Sequence, residues 1–152
     1  MRRTLASELR EHAGAPVRIA GWLHRQRRLS RVTFLIVRDR SGLTQVVVGD
    51  RAQAERVASM APETVVSVTG RAIAAAQAPG GVEIHEPDIE VIAQPSEPPP
   101  LELWRPALSA QPSTRLDLAA LALRHPREQA VFRLAAVSIA GFRAALDDQG
   151  FT

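Results

Sequence analysis

Four arginines, one phenylalanine and one glutamine fall within 21 residues of one another: Arg25, Arg27, Arg28, Arg31, Phe34 and Gln45. Guanidinium groups pair bidentately with phosphates and with guanine edges. An aromatic ring on a strand offers a face on which a base can stack, and stacking contributes about 1–3 kcal/mol per base. A glutamine both donates and accepts, as reading a base edge requires. Together these types make a minimal reader of single-stranded nucleic acid. Each also has a plainer reading. Phe34 sits in an apolar run and fits a core position, Gln45 fits the wet face of a strand, and Trp22 fits core or barrel-end packing. The arginine cluster is harder to dismiss, because like charges so close repel unless something anionic lies near.

Charge along the chain supports the reader. All nineteen basic residues are Arg. Residues 1–40 hold ten of them against Glu8, Glu11 and Asp39, a balance of +7, while residues 41–152 hold nine against thirteen acids, a balance of −4. The overall +3 hides a basic front, which attracts polyanions. Other chemistries find little support. With no Cys there is no disulfide, thiolate metal site or thiol nucleophile. His12, His24, His85 and His125 lack metal-ligand spacing, and no glycine-rich phosphate loop or Ser-His-Asp arrangement is present. No catalytic residue and no metal site is expected. No uninterrupted run approaches the roughly 18 apolar residues of a membrane span. No signal-peptide pattern follows Arg2 and Arg3, so a cytoplasmic protein without membrane contact is expected.

The elements that would position these residues are mainly strands. Residues 17–23, 32–37, 43–48 and 64–70 carry β-branched or alternating patterns, and 82–84 with 89–92 completes the set. Asp39 to Gly42 supplies turn chemistry between the second and third strands. The arginine cluster then falls in the loop joining the first two strands. Asp50 is a good N-cap for an Ala-rich helix ended before Pro62. Five strands with a short helix between the third and fourth predict a mainly β fold, the five-stranded Greek-key barrel of the OB-fold. Residues 1–93 form this domain. Pro95, Pro98, Pro99, Pro100, Pro106 and Pro112 make residues 94–125 a stiff linker or hinge. A long helix follows over 126–152. Pro126 suits its first turn and Gly150 its C-terminal cap. Val131, Leu134, Ala135, Ile139, Phe142 and Leu146 give it one apolar face.

The run Gly21-Trp22-Leu23 with its basic sequel, Phe34 through Arg38-Asp39-Arg40-Ser41-Gly42, and Gln45-Val46-Val47 resembles the anticodon-binding region of aspartyl-tRNA synthetases. The resemblance continues through Thr114-Arg115-Leu116-Asp117 and Leu123-Arg124-His125-Pro126. The 126–152 helix is similar to the class II motif 1 helix. The resemblance implies a tRNA partner, either tRNA for Asp alone or tRNAs for Asp and Asn. It implies anticodon contacts from Arg25, Arg27, Phe34, Gln45 and Glu83, with Phe34 as the stacking platform. Backbone phosphate contacts would come from Arg28 and Arg31. Motif 1 helices serve the dimer interface in class II synthetases, which implies a homodimer through the terminal helix. Motifs 2 and 3, which hold ATP and magnesium in the family, have no counterpart in these residues. The chain alone is therefore expected to bind no cofactor and to form no aminoacyl-adenylate, as a truncated or stand-alone relative. General single-strand binding and a helix-mediated interaction protein are the alternative readings.

Overall fold

Strand β1 (Pro16–Arg28) is thirteen residues long and serves two neighbours. Its first half, Pro16 to Trp22, pairs antiparallel with β4 (Val65–Ala74). Its second half, Trp22 to Arg28, pairs antiparallel with β2 (Thr33–Arg38). Strand β3 (Leu43–Val48) follows by a tight turn and pairs antiparallel with β2, then parallel with β5 (Val82–Ala93). β5 returns antiparallel to β4, so the order β1-β2-β3-β5-β4 closes into a barrel. This computed structural model describes residues 1–30 and 32–152, and among them the five expected strands form the OB-fold.

Inward side chains fill the barrel: Val17, Ile19, Leu23, Leu35, Val37, Val46, Val48, Val66, Val68 and Ile84 are each at most 2% exposed. The expected helix forms as α1 (Arg51–Ala58), where the Asp50 carboxylate accepts from the Gln53 amide at 2.8 Å. It delivers Val57 and, just beyond its end, Met60 to the same core. A 3-10 helix at Ala6–His12, without a sequence signal, contributes Leu9.

Three elements differ from expectation. β1 runs on to Arg28, so Arg25, Arg27 and Arg28 lie on a strand and not in the loop. Pairing to β2 uses only backbone groups, and charged side chains are compatible with a strand whose outer face is wet. β5 runs unbroken and bent over Val82–Ala93, through residues 85–88 that carry no strand signal in the sequence. Its pairing with β4 slips between Thr69 and Arg71, and Glu86 at the bend takes φ of 50°. Gly70 sits against that bend, where a Cβ would lie 2.5 Å from Ile84 Cγ2 and 2.6 Å from the His85 carbonyl. The third difference lies in the proline-rich segment. Residues 94–111 carry no helix or strand, but Pro112 opens α2 (Pro112–Asp117), with α3 (Ala119–Ala122) next. A proline at the first helical position needs no N–H partner, so it starts a helix as readily as it extends a linker.

The chain divides into two compact units, Met1–Pro99 and Pro100–Thr152. The second has a small cluster of its own around Leu101, Leu103 and Ala122. Its long helix α4 (Pro126–Asp148) begins at His125, whose Nδ1 accepts from the Arg127 amide at 3.2 Å. Gly150 at φ of 80° ends it. Among the described residues of α4 none is buried. By length and composition this helix is also long enough and apolar enough to cross a membrane. Arg133 and Arg143 interrupt its apolar sequence, so it holds no unbroken apolar run of that length.

Candidate nucleic-acid interface

Residues that face outward on neighbouring strands line up across the sheet. Arg25 stands opposite Ile36, Ile36 opposite Gln45, and Gln45 opposite Glu83, which makes one row across β1, β2, β3 and β5. Arg27, Phe34 and Val47 make a second row beside it. The inward partners of these residues, Leu35, Val46 and Ile84, are fully buried. Arg25 and Arg27 are exposed, and Phe34, Gln45 and Glu83 are half-buried. Phe34 is therefore outside the barrel core, on the face with the arginines.

A bulge aims the arginines. Leu23 pairs with Val37 and Arg25 with Ile36, so His24 is the extra residue in β1. Before it, Val17, Ile19 and Leu23 point inward; after it, the odd-numbered Arg25 and Arg27 point outward. A regular strand would drive both guanidinium groups into the apolar interior.

At the far end of the first row Gln45 Nε2 donates to Glu83 Oε2 at 2.8 Å, and His85 Nε2 lies 2.7 Å from Glu83 Oε1. His85 was not singled out by sequence reasoning. Its signal was the i, i+2 spacing from Glu83, which puts both on one side of a strand. Beyond the second row a pocket of about 510 Å³ is lined by Val47, Gly49, Asp50, Gln53, His85, Glu86 and Pro87. Arg28 does not join the face. It alternates away from Arg27 and borders a separate depression with Ser30, Thr33, Gly49 and Arg51. Arg31 lies outside the described residues.

The Arg38-Asp39-Arg40-Ser41-Gly42 run serves the fold beneath the face. Arg38 Nη2 bonds Glu63 Oε2 at 2.8 Å, with both side chains under 10% exposed. Arg38 Nη1 donates to His24 Nδ1 at 3.0 Å, and the guanidinium lies 5.8 Å from the Trp22 ring centre. Glu63 adopts φ of 68°, a conformation that a Glu holds only where its surroundings fix it. Asp39 closes the β2–β3 turn. Its Oδ1 accepts from Ser41 Oγ and N, both at 2.7 Å, and from Gly42 N at 3.0 Å. Its Oδ2 accepts from Ala6 N at 2.8 Å. Burial by itself raises the Asp39 pKa. The bonds from Ser41, Ala6 and Gly42 outweigh it and leave the carboxyl below its ordinary value. Other arginines of the basic front also bind their own chain: Arg3 the Ala20 carbonyl and Arg18 the Ser67 hydroxyl. Among the described residues no group of three His, Cys, Asp or Glu is placed to hold a metal ion.

Barrel order and outward face together define an OB-fold nucleic-acid-binding domain. Residues 17–92, half of the chain, match the tRNA anti-codon family, an OB-fold nucleic acid binding domain, and the chain belongs to that family. It is 37% identical over 150 residues to the aspartate–tRNA(Asp/Asn) ligase of Thermus thermophilus, across 99% of this chain and 34% of that protein. The aspartate–tRNA(Asp/Asn) ligase of Saccharolobus solfataricus is 37% identical over 153 residues, covering 99% of this chain and 35% of its own length. Among solved structures, asparaginyl-tRNA synthetase from Pyrococcus horikoshii complexed with asparaginyl-adenylate superposes with a TM-score of 0.82 at 31% identity. That match covers 99% of this chain and 35% of the other. The chain thus spans about a third of the length of the curated relatives it matches.

Proposed function

We propose that the barrel binds the anticodon loop of tRNA, either that for aspartate alone or those for aspartate and asparagine. The observation that carries this reading is the shared outward face, on which Arg25, Arg27, Phe34, Gln45 and Glu83 stand in two adjacent rows. Arg25 and Arg27 attract the backbone and hold phosphates, Phe34 stacks a base, and Gln45 with Glu83 reads an edge. Arg28 and Arg31 are proposed as peripheral phosphate contacts. No cofactor takes part. Fluorescence anisotropy with a labelled anticodon stem-loop tests the reading. A GUC loop is expected to bind tighter than a scrambled loop on the same stem, and equal affinity rejects the proposal. A steep fall with salt and indifference to loop sequence would instead mark general single-strand binding.

Ligation is proposed to belong to the two thirds of the relatives that this chain does not span. The chain alone is then expected to catalyse no aspartate-dependent exchange of pyrophosphate into ATP. The apolar side of α4, where Phe132 joins Val131, Leu134 and Phe142, is proposed to pair with a second copy. Light scattering before and after removal of residues 127–152 reads this directly, and a monomer in both cases rejects it.

A further inference from the structure

We infer that Arg3 and Arg18 form a phosphate anchor on the outside of β1 and β4, away from the rows that carry Phe34 and Gln45. The inference rests on the barrel binding a nucleic-acid strand and not on which loop it prefers. It adds a contact that no base identity governs.

The two guanidinium groups are fixed on one pair of residues. Ala20 pairs with Ser67 across β1 and β4. Arg3 Nη2 donates to the Ala20 carbonyl at 2.7 Å, and Arg18 Nε donates to the Ser67 hydroxyl at 3.0 Å. Arg3 reaches this place because it bridges to Arg18 in parallel, while the Thr4 amide donates to the Arg18 carbonyl at 2.7 Å. The first residues thereby lie along the part of β1 that β2 leaves uncovered, since β2 pairs only from Trp22 onward. Ala20 and Ser67 are small, so the row leaves room for a ligand between the two cations.

Both arginines are held by neutral oxygens, so each keeps its full charge and its remaining N–H donors. Among the described residues no carboxylate lies within ion-pair distance of either. Glu90, next in the row on β5, is exposed and bonds neither. Arg71 faces outward two residues further along the pairing and is likewise held on a carbonyl, that of Gly14 at 2.8 Å. Cations on adjoining positions of paired strands repel, and a bound anion relieves the repulsion. A phosphate matches the guanidinium fork, and the family binds nucleic acid, which supplies phosphates. Arg18 and Arg25 are separated by roughly 20 Å of strand. The phosphate held here therefore belongs to a nucleotide outside the bases that Phe34 and Gln45 take. Contacts of this kind set position and affinity without carrying sequence information.

The test measures binding of the full chain to the GUC stem-loop and to the scrambled loop over a range of salt concentrations. Arg18→Gln keeps a donor for Ser67 and removes the charge. It is expected to weaken both loops by the same factor and to reduce the slope of log affinity against log salt by about 0.7–0.9. Arg18→Lys should restore the slope, and Arg3→Gln combined with Arg18→Gln should lower it about twice as far. If Arg18→Gln does not melt as a folded protein, Arg3→Gln alone carries the same expectation. An unchanged slope in the folded variant overturns the anchor. So does an equal change in Arg10→Gln, an exposed arginine set between Glu8 and Glu11, because the effect would then be surface charge at large. Loss of the GUC preference in Arg18→Gln overturns it as well, by making Arg18 part of base reading. If wild type shows no preference for the GUC loop, the anticodon reading fails. The anchor is then decided by the same slopes measured with a short oligouridylate. A wild-type chain that does not bind the oligouridylate either overturns both.

Discussion

Inside the barrel, Val17, Ile19, Leu35, Val46, Val66 and Ile84 are at most 2% exposed, whereas along α4 Val131, Phe132, Leu134, Val137, Ile139 and Phe142 keep 61–71% of their surface open. Both segments are rich in apolar residues, so composition does not separate them. Closure does. The barrel pairs each of its strands on both sides and turns one face inward, which lets it bury its own apolar surface. A helix makes its hydrogen bonds internally and gains no burial by forming. The barrel's outer face is thus free to carry charge and recognition, while the apolar side of α4 is itself the exposed feature.

Breaking the interior should cost most. A side chain at Gly21 would place Cβ 2.2 Å from the Arg38 carbonyl oxygen and 2.9 Å from its carbonyl carbon. Gly21→Val is expected to lose more than about 4 kcal/mol and leave no cooperative thermal transition. A wild-type melting curve would refute the packing described. Removing one partner of the buried ion pair comes next. Glu63→Ala leaves Arg38 charged and buried, and urea unfolding should show a loss of about 3–5 kcal/mol. Phe34→Ala separates the two faces of the same strand. It should weaken stem-loop binding by about 1–3 kcal/mol while moving the urea midpoint much less. If stability falls as far as binding, Phe34 belongs to the core after all.

The β2–β3 turn gives a pH handle of smaller size. The Asp39 carboxyl titrates below its ordinary value in the folded chain. Its contribution to stability is therefore complete above the unfolded value of about 4 and is lost as pH falls through the lower folded value. Asp39→Asn should flatten that acid limb in urea midpoints taken from pH 6 downward. An unchanged limb would assign the acid sensitivity elsewhere. Smallest of all, Phe132→Ser should change unfolding stability by less than about 0.5 kcal/mol, since the ring is 64% exposed. A larger loss measured at low concentration would mean that this side of α4 is covered within the chain.

Much of the fold is legible in local pattern. Alternation marks the strands, Asp50 marks the start of α1, and the Asp39–Gly42 chemistry marks the β2–β3 turn, because each is decided by residues within a few positions. The misreadings around the site have a common cause. The His24 bulge exists because β1 must turn from β4 to β2, and nothing within reach of His24 in the sequence encodes that exchange of partners. The arginines accordingly read as a loop. The bond between Arg38 and Glu63 spans 25 residues and the one between Gln45 and Glu83 spans 38. Periodicity does not see such distances. Resemblance to a family brought Glu83 into the site, but its bond to His85 became visible only in three dimensions.

Along β2 and β3, inward and outward residues alternate one by one, from Phe34 and Leu35 to Gln45 and Val46. Two messages are thus written in interleaved letters on one stretch of chain, one addressed to the interior and the other to a ligand. Substitution edits either message separately. Insertion or deletion of a single residue swaps the two, sending every later letter to the wrong reader. Such a barrel can be re-addressed to new ligands by changing letters in place, and it resists any change in their number.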